Sequence, residues 1–257
     1  DEGASNSGEV RVYEWSGTAW SQLGADLNGG SANSYFGYSV AMSADGYRVA
    51  IGATSPAVAG YVQVYQWTGA SWFQVGSNIV GEGTGDHFGW SVDMSADGER
   101  VAMGAIHNDG NGSNSGHARV YYDDGDSWVQ LGQDMDGEAA GDEFGYRVAL
   151  SADGRRVAIC GPNNDDNGVG SGHCRVFQFN GTAWAQLGLD IDGAVASDLT
   201  RMIALSADGS RVALTSYYND GFANNTGNAR VFQYDGVSWV QAGQDIYGLA
   251  ASDHIDA

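Results

Sequence analysis

One stretch constrains the fold of this chain more than any other. Residues 36–53, FGYSVAMSADGYRVAIGA, return at Phe88 as FGWSVDMSADGERVAMGA, at Phe144 as FGYRVALSADGRRVAICGP and, altered, at Leu199 as LTRMIALSADGSRVALTS. Ser-Ala-Asp-Gly starts at Ser43, Ser95, Ser151 and Ser206, and a second marker, Trp-x-Gln, at Trp20, Trp72, Trp128, Trp184 and Trp239. Both markers advance in steps of 52 to 56 residues, which defines one repeat of about 55 residues. A period of this size is the signature of propeller or solenoid arrays.

Each unit reads as four short strands, at 38–42, 48–52, 61–67 and 71–75 in the first complete unit. Asp-Gly closes the first hairpin, and Ser-Gly, Thr-Gly, Asp-Gly or Asn-Gly the last, because tight hairpins need positive φ and Gly, Asp and Asn tolerate it. The remaining connections are long, at 54–60, 107–116, 163–172 and 219–227 between strands two and three, and at 133–143 and its counterparts between units. In an antiparallel meander the long connections emerge together at one end, where function is expected. Val49-Ala50-Ile51 and Val157-Ala158-Ile159 are apolar on both faces, so neighbouring sheets must cover them. The expectation is an all-β, single-domain β-propeller over residues 1–257, with four-stranded antiparallel blades in about five repeats. Four repeats are complete and an N-terminal half precedes them, so the chain either closes a ring or forms part of a longer array. The start, DEGASNSG, matches 109–116, DGNGSNSG, as if the chain opened inside a repeat.

Charge bears on partners. Lysine is absent, and eleven arginines against 32 acidic residues give a formal charge of −21, which repels nucleic acid. No run is long and apolar enough for membrane insertion. Cys160 and Cys174 stand alone in a single repeat, flanking one loop between neighbouring strands, which predicts a disulfide and an oxidising compartment.

The pairs Phe36-Gly37 with Ile51-Gly52-Ala53, Phe88-Gly89 with Met103-Gly104-Ala105, and Phe144-Gly145 with Cys160-Gly161-Pro162 resemble FG-GAP repeats, the propeller repeats of integrin α subunits. The resemblance spans nearly the whole chain. It implies an extracellular propeller used in adhesion or as a structural module, with these segments near the long-loop face. The family's calcium site in the loop between strands one and two is not implied here. That loop is a minimal Ser-Ala-Asp-Gly whose single carboxylate cannot supply the roughly 6 to 8 oxygens that calcium takes.

A different calcium candidate is Asp109, Asn111 and Ser113, with oxygen-bearing side chains at alternate positions, partly repeated by Asp165 and Asn167. The plainer reading is a polar loop held by Asx turns. Eight of the eleven arginines and the five Trp-x-Gln tryptophans follow the repeat, which favours pairing with the turn aspartates or blade-to-blade hydrogen bonds for the arginines and blade packing for the tryptophans. Trp90, beside Phe88-Gly89 and replaced by Tyr38 and Tyr146 in other units, is the binding candidate. His117 and His173 are equivalent positions on different blades and are not expected to share a metal. Asn111 and Asn224 open sequons in long loops and are glycosylation candidates.

No nucleophile elbow, zinc-protease motif or phosphate loop is present, so the sequence reading is of a chain that is not an enzyme. The expected function is an extracellular adhesion or structural module that meets a protein or glycan, further repeats or copies of itself through the long-loop face. The alternative is a lectin with repeated sugar sites.

Overall fold

A computed structural model describes residues 4–255; 1–3, which open the DEGASNSG match, and 256–257 lie outside the described residues. Four antiparallel blades follow one another. Blade 1 comprises Phe36–Met42, Arg48–Ala53, Tyr61–Trp67 and Trp72–Gln74. Blade 2 comprises Phe88–Met94, Arg100–Ala105, His117–Asp123 and Trp128–Gln130. Blade 3 comprises Arg147–Leu150, Arg156–Gly161, His173–Phe179 and Trp184–Gln186. Blade 4 comprises Thr200–Leu205, Arg211–Ser216, Asn228–Tyr234 and Trp239–Gln241.

Each outer strand is interrupted. After a short break the chain returns to pair with the start of the third strand, as Ile79–Val80 does with Tyr61 and Val62. The sequence reading placed this short segment in the connection between units. Ahead of blade 1, Glu9–Val10 pairs with Leu27–Asn28, and Tyr13–Trp15 with Trp20–Gln22, which is the leading half-blade expected.

The core lies between blades rather than within them. Val62, Phe88 and Met103 share one buried cluster across the boundary of blades 1 and 2; Val120, Phe144 and Ile159 share another across blades 2 and 3. Val176, Val212 and Leu214 do the same for blades 3 and 4. A sheet covered on both faces needs such neighbours, which is why Val101, Ala102 and Met103 are all fully buried.

Polar latches repeat along these boundaries. Arg48 donates to the Gly98 carbonyl at 3.1 Å, Arg100 to that of Asp153 at 2.8 Å and Arg156 to that of Gly209 at 3.0 Å, each reaching the Asp-Gly turn of the next blade. The indoles of Trp72, Trp128, Trp184 and Trp239 donate to the carbonyls of Leu23, Val75, Leu131 and Leu187 in the preceding unit. Trp20, in the leading hairpin, is 67% exposed. Arg48, Arg100 and Arg156, with Trp72, Trp128, Trp184 and Trp239, are therefore scaffold.

The Phe-Gly and Gly-Ala elements meet across the same boundaries. Gly89 (φ 82°) and Gly145 (φ 94°) bulge out of the first strand so that their carbonyls lie against Gly52 and Gly104 of the preceding blade. A Cβ on Gly52 or Gly104 would overlap those oxygens. Ser39 and Ser91 hydroxyls donate to the same carbonyls at 2.7 and 2.8 Å.

Blade 4 departs from this pattern. The sequence reading aligned Leu199 with Phe144, but Thr200 takes the Phe position: its N–H donates to Ser171 as that of Phe144 does to Ser115. Only one residue separates the paired positions Thr200 and Met202, against two between Phe88 and Ser91. The residue lost is the bulge glycine. Cys160 stands where Gly52 and Gly104 stand, facing a blade without that bulge, and bonds to Cys174 directly opposite on the next strand.

Candidate functional site

Phe36 pairs with Ala53 and Phe88 with Ala105, so the Phe-Gly bulges and the loops between strands two and three share one end of the blades. The bulge turns the residue after the glycine out of the ladder. Tyr38, Trp90 and Tyr146, from three consecutive blades, are thereby brought into one cluster. Trp90 lies 4.7 Å from Tyr38 and 5.8 Å from Tyr146 between ring centroids, both pairs tilted. Tyr38, Trp90 and Arg147 line a cavity of about 460 Å³ together with Ser39, Val40 and Ser91. Arg147 lies 5.0 Å from the Tyr146 ring centroid. Tyr146 also borders a second hollow of about 180 Å³ with Glu143 and Arg201.

The electrostatics of this hollow favour neutral rings. Burial, helped by the neighbouring Tyr146, pushes the Tyr38 phenol up, so it stays a hydrogen-bond donor at neutral pH. His87, edge-on to Trp90 at 5.9 Å, is lowered by burial and by His107, while its Nδ1 lies 3.0 Å from the Thr54 hydroxyl. The Trp90 indole N–H is buried without a hydrogen-bond partner. Sequence reasoning found the three aromatics but missed Arg147. The available signal was that Arg147 breaks the repeat, standing where Ser39 and Ser91 stand.

The residues expected to hold calcium are placed differently. Asp109 and Asp165 each accept the backbone N–H five residues on, from Asn114 and Gly170, both at 2.8 Å. Asn111 donates both amide hydrogens to the Gly137 and Glu138 carbonyls, and Asn167 does the same to Gly193 and Ala194. Ser113 is exposed, and its carbonyl accepts from Gly141. These side chains staple the long loop to the connection between units. The Asn111 nitrogen that a glycan would need is engaged in this staple, whereas Asn224 is exposed.

Carboxylates able to hold a metal ion converge elsewhere at the same end, in two repeat-equivalent groups: Glu82, His117 and Asp134, and Glu138, Asp166, His173 and Asp190. In the first, burial alone would raise Asp134, but the guanidinium of Arg119 outweighs it and holds the carboxyl low. His117 is lowered to about 4, first by burial and then by Arg119. In the second, burial raises Glu138 and lowers Arg175. His117 and His173 each meet their own acidic group, which sequence spacing did not reveal.

The fold and these sites define a β-propeller-type repeat protein. Residues 81–121, which take in most of blade 2, match the FG-GAP repeat family. No curated protein matches it in sequence. Among solved structures, it is similar to the periplasmic gluconolactonase PpgL of Pseudomonas aeruginosa (14% identity, TM-score 0.61, 94% of this chain and 64% of that one). It is likewise similar to a proposed 6-phosphogluconolactonase of Bacteroides uniformis (13% identity, TM-score 0.61, 95% and 70%). A third is TolB of Acinetobacter baumannii (14% identity, TM-score 0.52, 93% and 49%), of which the chain spans about half the length. At these identities the likeness is one of fold.

One expectation is corrected by these structures. The reading that the chain is not an enzyme does not stand, because proteins named as lactonases carry the same fold. Absence of the familiar linear motifs is no argument on a propeller, where a site is assembled from several blades and leaves no local signature.

Proposed function

We propose that the chain is an interaction module working outside the cytosol, which takes its ligand at the long-loop end in the hollow lined by Tyr38, Trp90 and Arg147. The observation that carries this is the aromatic cluster drawn from three blades, in which Tyr38 and Trp90 line one cavity with Arg147 and Tyr146 packs against Trp90 behind them. Rings exposed or partly so beside a cation suit a ligand with an apolar face and an acceptor or acidic group. The Cys160–Cys174 disulfide supports an oxidising compartment, and among the described residues no helix is long and apolar enough to cross a membrane. Adhesion through this face to a protein or a second copy is the broader reading.

A lectin is the second reading, favoured by the stacking surface the three rings offer to a sugar. In this form it has one composite site rather than one per blade. A glycan array followed by tryptophan-fluorescence titration tests it. Trp90→Ala and Arg147→Ala are expected to weaken binding with melting unchanged, whereas Trp128→Ala lowers melting and leaves binding intact. Wild-type affinity in both hollow variants would overturn the assignment of the site.

A further inference from the structure

The two acidic groups at the long-loop end differ in how their charge is met. In blade 2, Arg119 forks onto both oxygens of Asp134, at 2.8 and 2.6 Å, and also pairs with Glu82. The equivalent Arg175 turns to the Asp136 carbonyl at 2.6 Å and lies 4.1 Å from the Phe144 ring centroid, keeping a 3.4 Å contact with Glu138. Asp190 thus has no guanidinium fork of the kind that holds Asp134. Asp166, where blade 2 has Gly110, adds a third carboxylate.

His173 points into this group. It is fully buried, neither ring nitrogen makes a well-aligned hydrogen bond, and Nδ1 lies 3.2 Å from Asp190 and 3.8 Å from Glu138. A buried polar side chain without a partner carries a desolvation cost that a bound ligand removes.

We propose that Glu138, Asp166, His173 and Asp190 bind one divalent ion of the zinc class. Their ligand atoms all lie within 4.8 Å of one another. Zinc bonds of about 2.1 Å space tetrahedral ligands about 3.4 Å apart, so the exposed Glu138 and Asp166 side chains draw in to close the shell. An imidazole nitrogen with three carboxylates suits Zn²⁺ and its first-row neighbours, whereas Ca²⁺ and Mg²⁺ favour oxygen alone. Three carboxylates less the charge of Arg175 leave two negative charges, which a divalent ion neutralises. The ligands come from the connection between blades 2 and 3, the long loop, the third strand and the interrupted outer strand. The ion therefore ties the loops of blade 3 to the boundary with blade 2.

The test uses the EDTA-stripped chain, titrated calorimetrically with ZnCl₂ and melted with ZnCl₂, CaCl₂ or MgCl₂ at matched ionic strength. One ion per chain is expected, with a melting rise specific to zinc. Losing a supporting partner alone costs about 10- to 100-fold in metal affinity, so Asp166→Gly should weaken binding by at least about tenfold. This variant places in the exposed loop the residue blade 2 already has there, and so carries the test if His173→Asn fails to fold. Glu82→Gln in blade 2 should leave zinc affinity unchanged. Equal stabilisation by all three ions, wild-type affinity in Asp166→Gly, or a second zinc lost in Glu82→Gln would each overturn the proposal.

Discussion

Blades 2 and 3 are built on one repeat, yet the same positions do different work in them. Blade 2 has Gly104 against the Gly145 carbonyl of the next blade, Gly110 in its long loop, and Arg119 committed to two carboxylates. Blade 3 has Cys160 against a blade without the bulge glycine, Asp166 in its loop, and Arg175 laid over a Phe144 ring. The repeat thus fixes strands, turns and the tryptophan latches. What a boundary can accommodate depends on the neighbour, so one lost residue in blade 4 makes room for a disulfide in blade 3.

The largest effect should come from closing the gap between blades 2 and 3. Gly104→Ala sets a Cβ onto the Gly145 carbonyl, a backbone group that cannot swing aside, and should destabilise by about 3 kcal/mol or more. Chemical denaturation reads this, and a loss under about 1 kcal/mol would break the contrast between the boundaries. Next is the disulfide, where a double Cys160→Ala, Cys174→Ala variant should lose about 3 kcal/mol, the effect expected for closing a loop of roughly this length. Unchanged melting on reduction would show that packing alone holds blade 3 at this point.

The third prediction concerns acid. His117 titrates near 6.5 when unfolded and about 4 when folded. The unfolded chain therefore binds the proton first, so this stability is full above about pH 6.5 and is lost as pH falls towards 4. The difference amounts to about 3 kcal/mol at most. His117→Asn, the residue blade 4 carries as Asn228, should flatten that part of the melting profile, and parallel profiles would refute it. The smallest effect is Ser91→Ala, which removes one buried hydrogen bond to the Gly145 carbonyl and should cost about 1 kcal/mol by denaturant melts. No change there would leave the glycine contact as the main fastener of this boundary.

The hollow and the acidic groups were legible to different degrees. Tyr38, Trp90 and Tyr146 could be singled out because they follow Phe-Gly in register, and strands in register bring equivalent residues to one end. Arg147 and Arg201 were visible only as arginines outside the repeat. Glu138, Asp166, His173 and Asp190 were invisible as a group, since their separations in sequence match no metal motif. The calcium loop was inferred from spacing alone, and spacing does not show that Asp109 and Asn111 are taken up by backbone partners.

The amino-acid sequence by itself determined the blade. Alternating and doubly apolar strands, Asp-Gly turns and a period of about 55 residues are local properties, and each unit carries its own copy of them. Only the tertiary structure decided what happens between blades, because those contacts join residues about 50 positions apart. Gly52 has no evident purpose until the Gly89 carbonyl lies against it, and Cys160 replaces a glycine safely only because blade 4 lacks the opposing bulge. Whether a guanidinium falls on a carboxylate, as Arg119 does, or on a ring, as Arg175 does, is settled by side-chain packing at the boundary and is written in no single repeat.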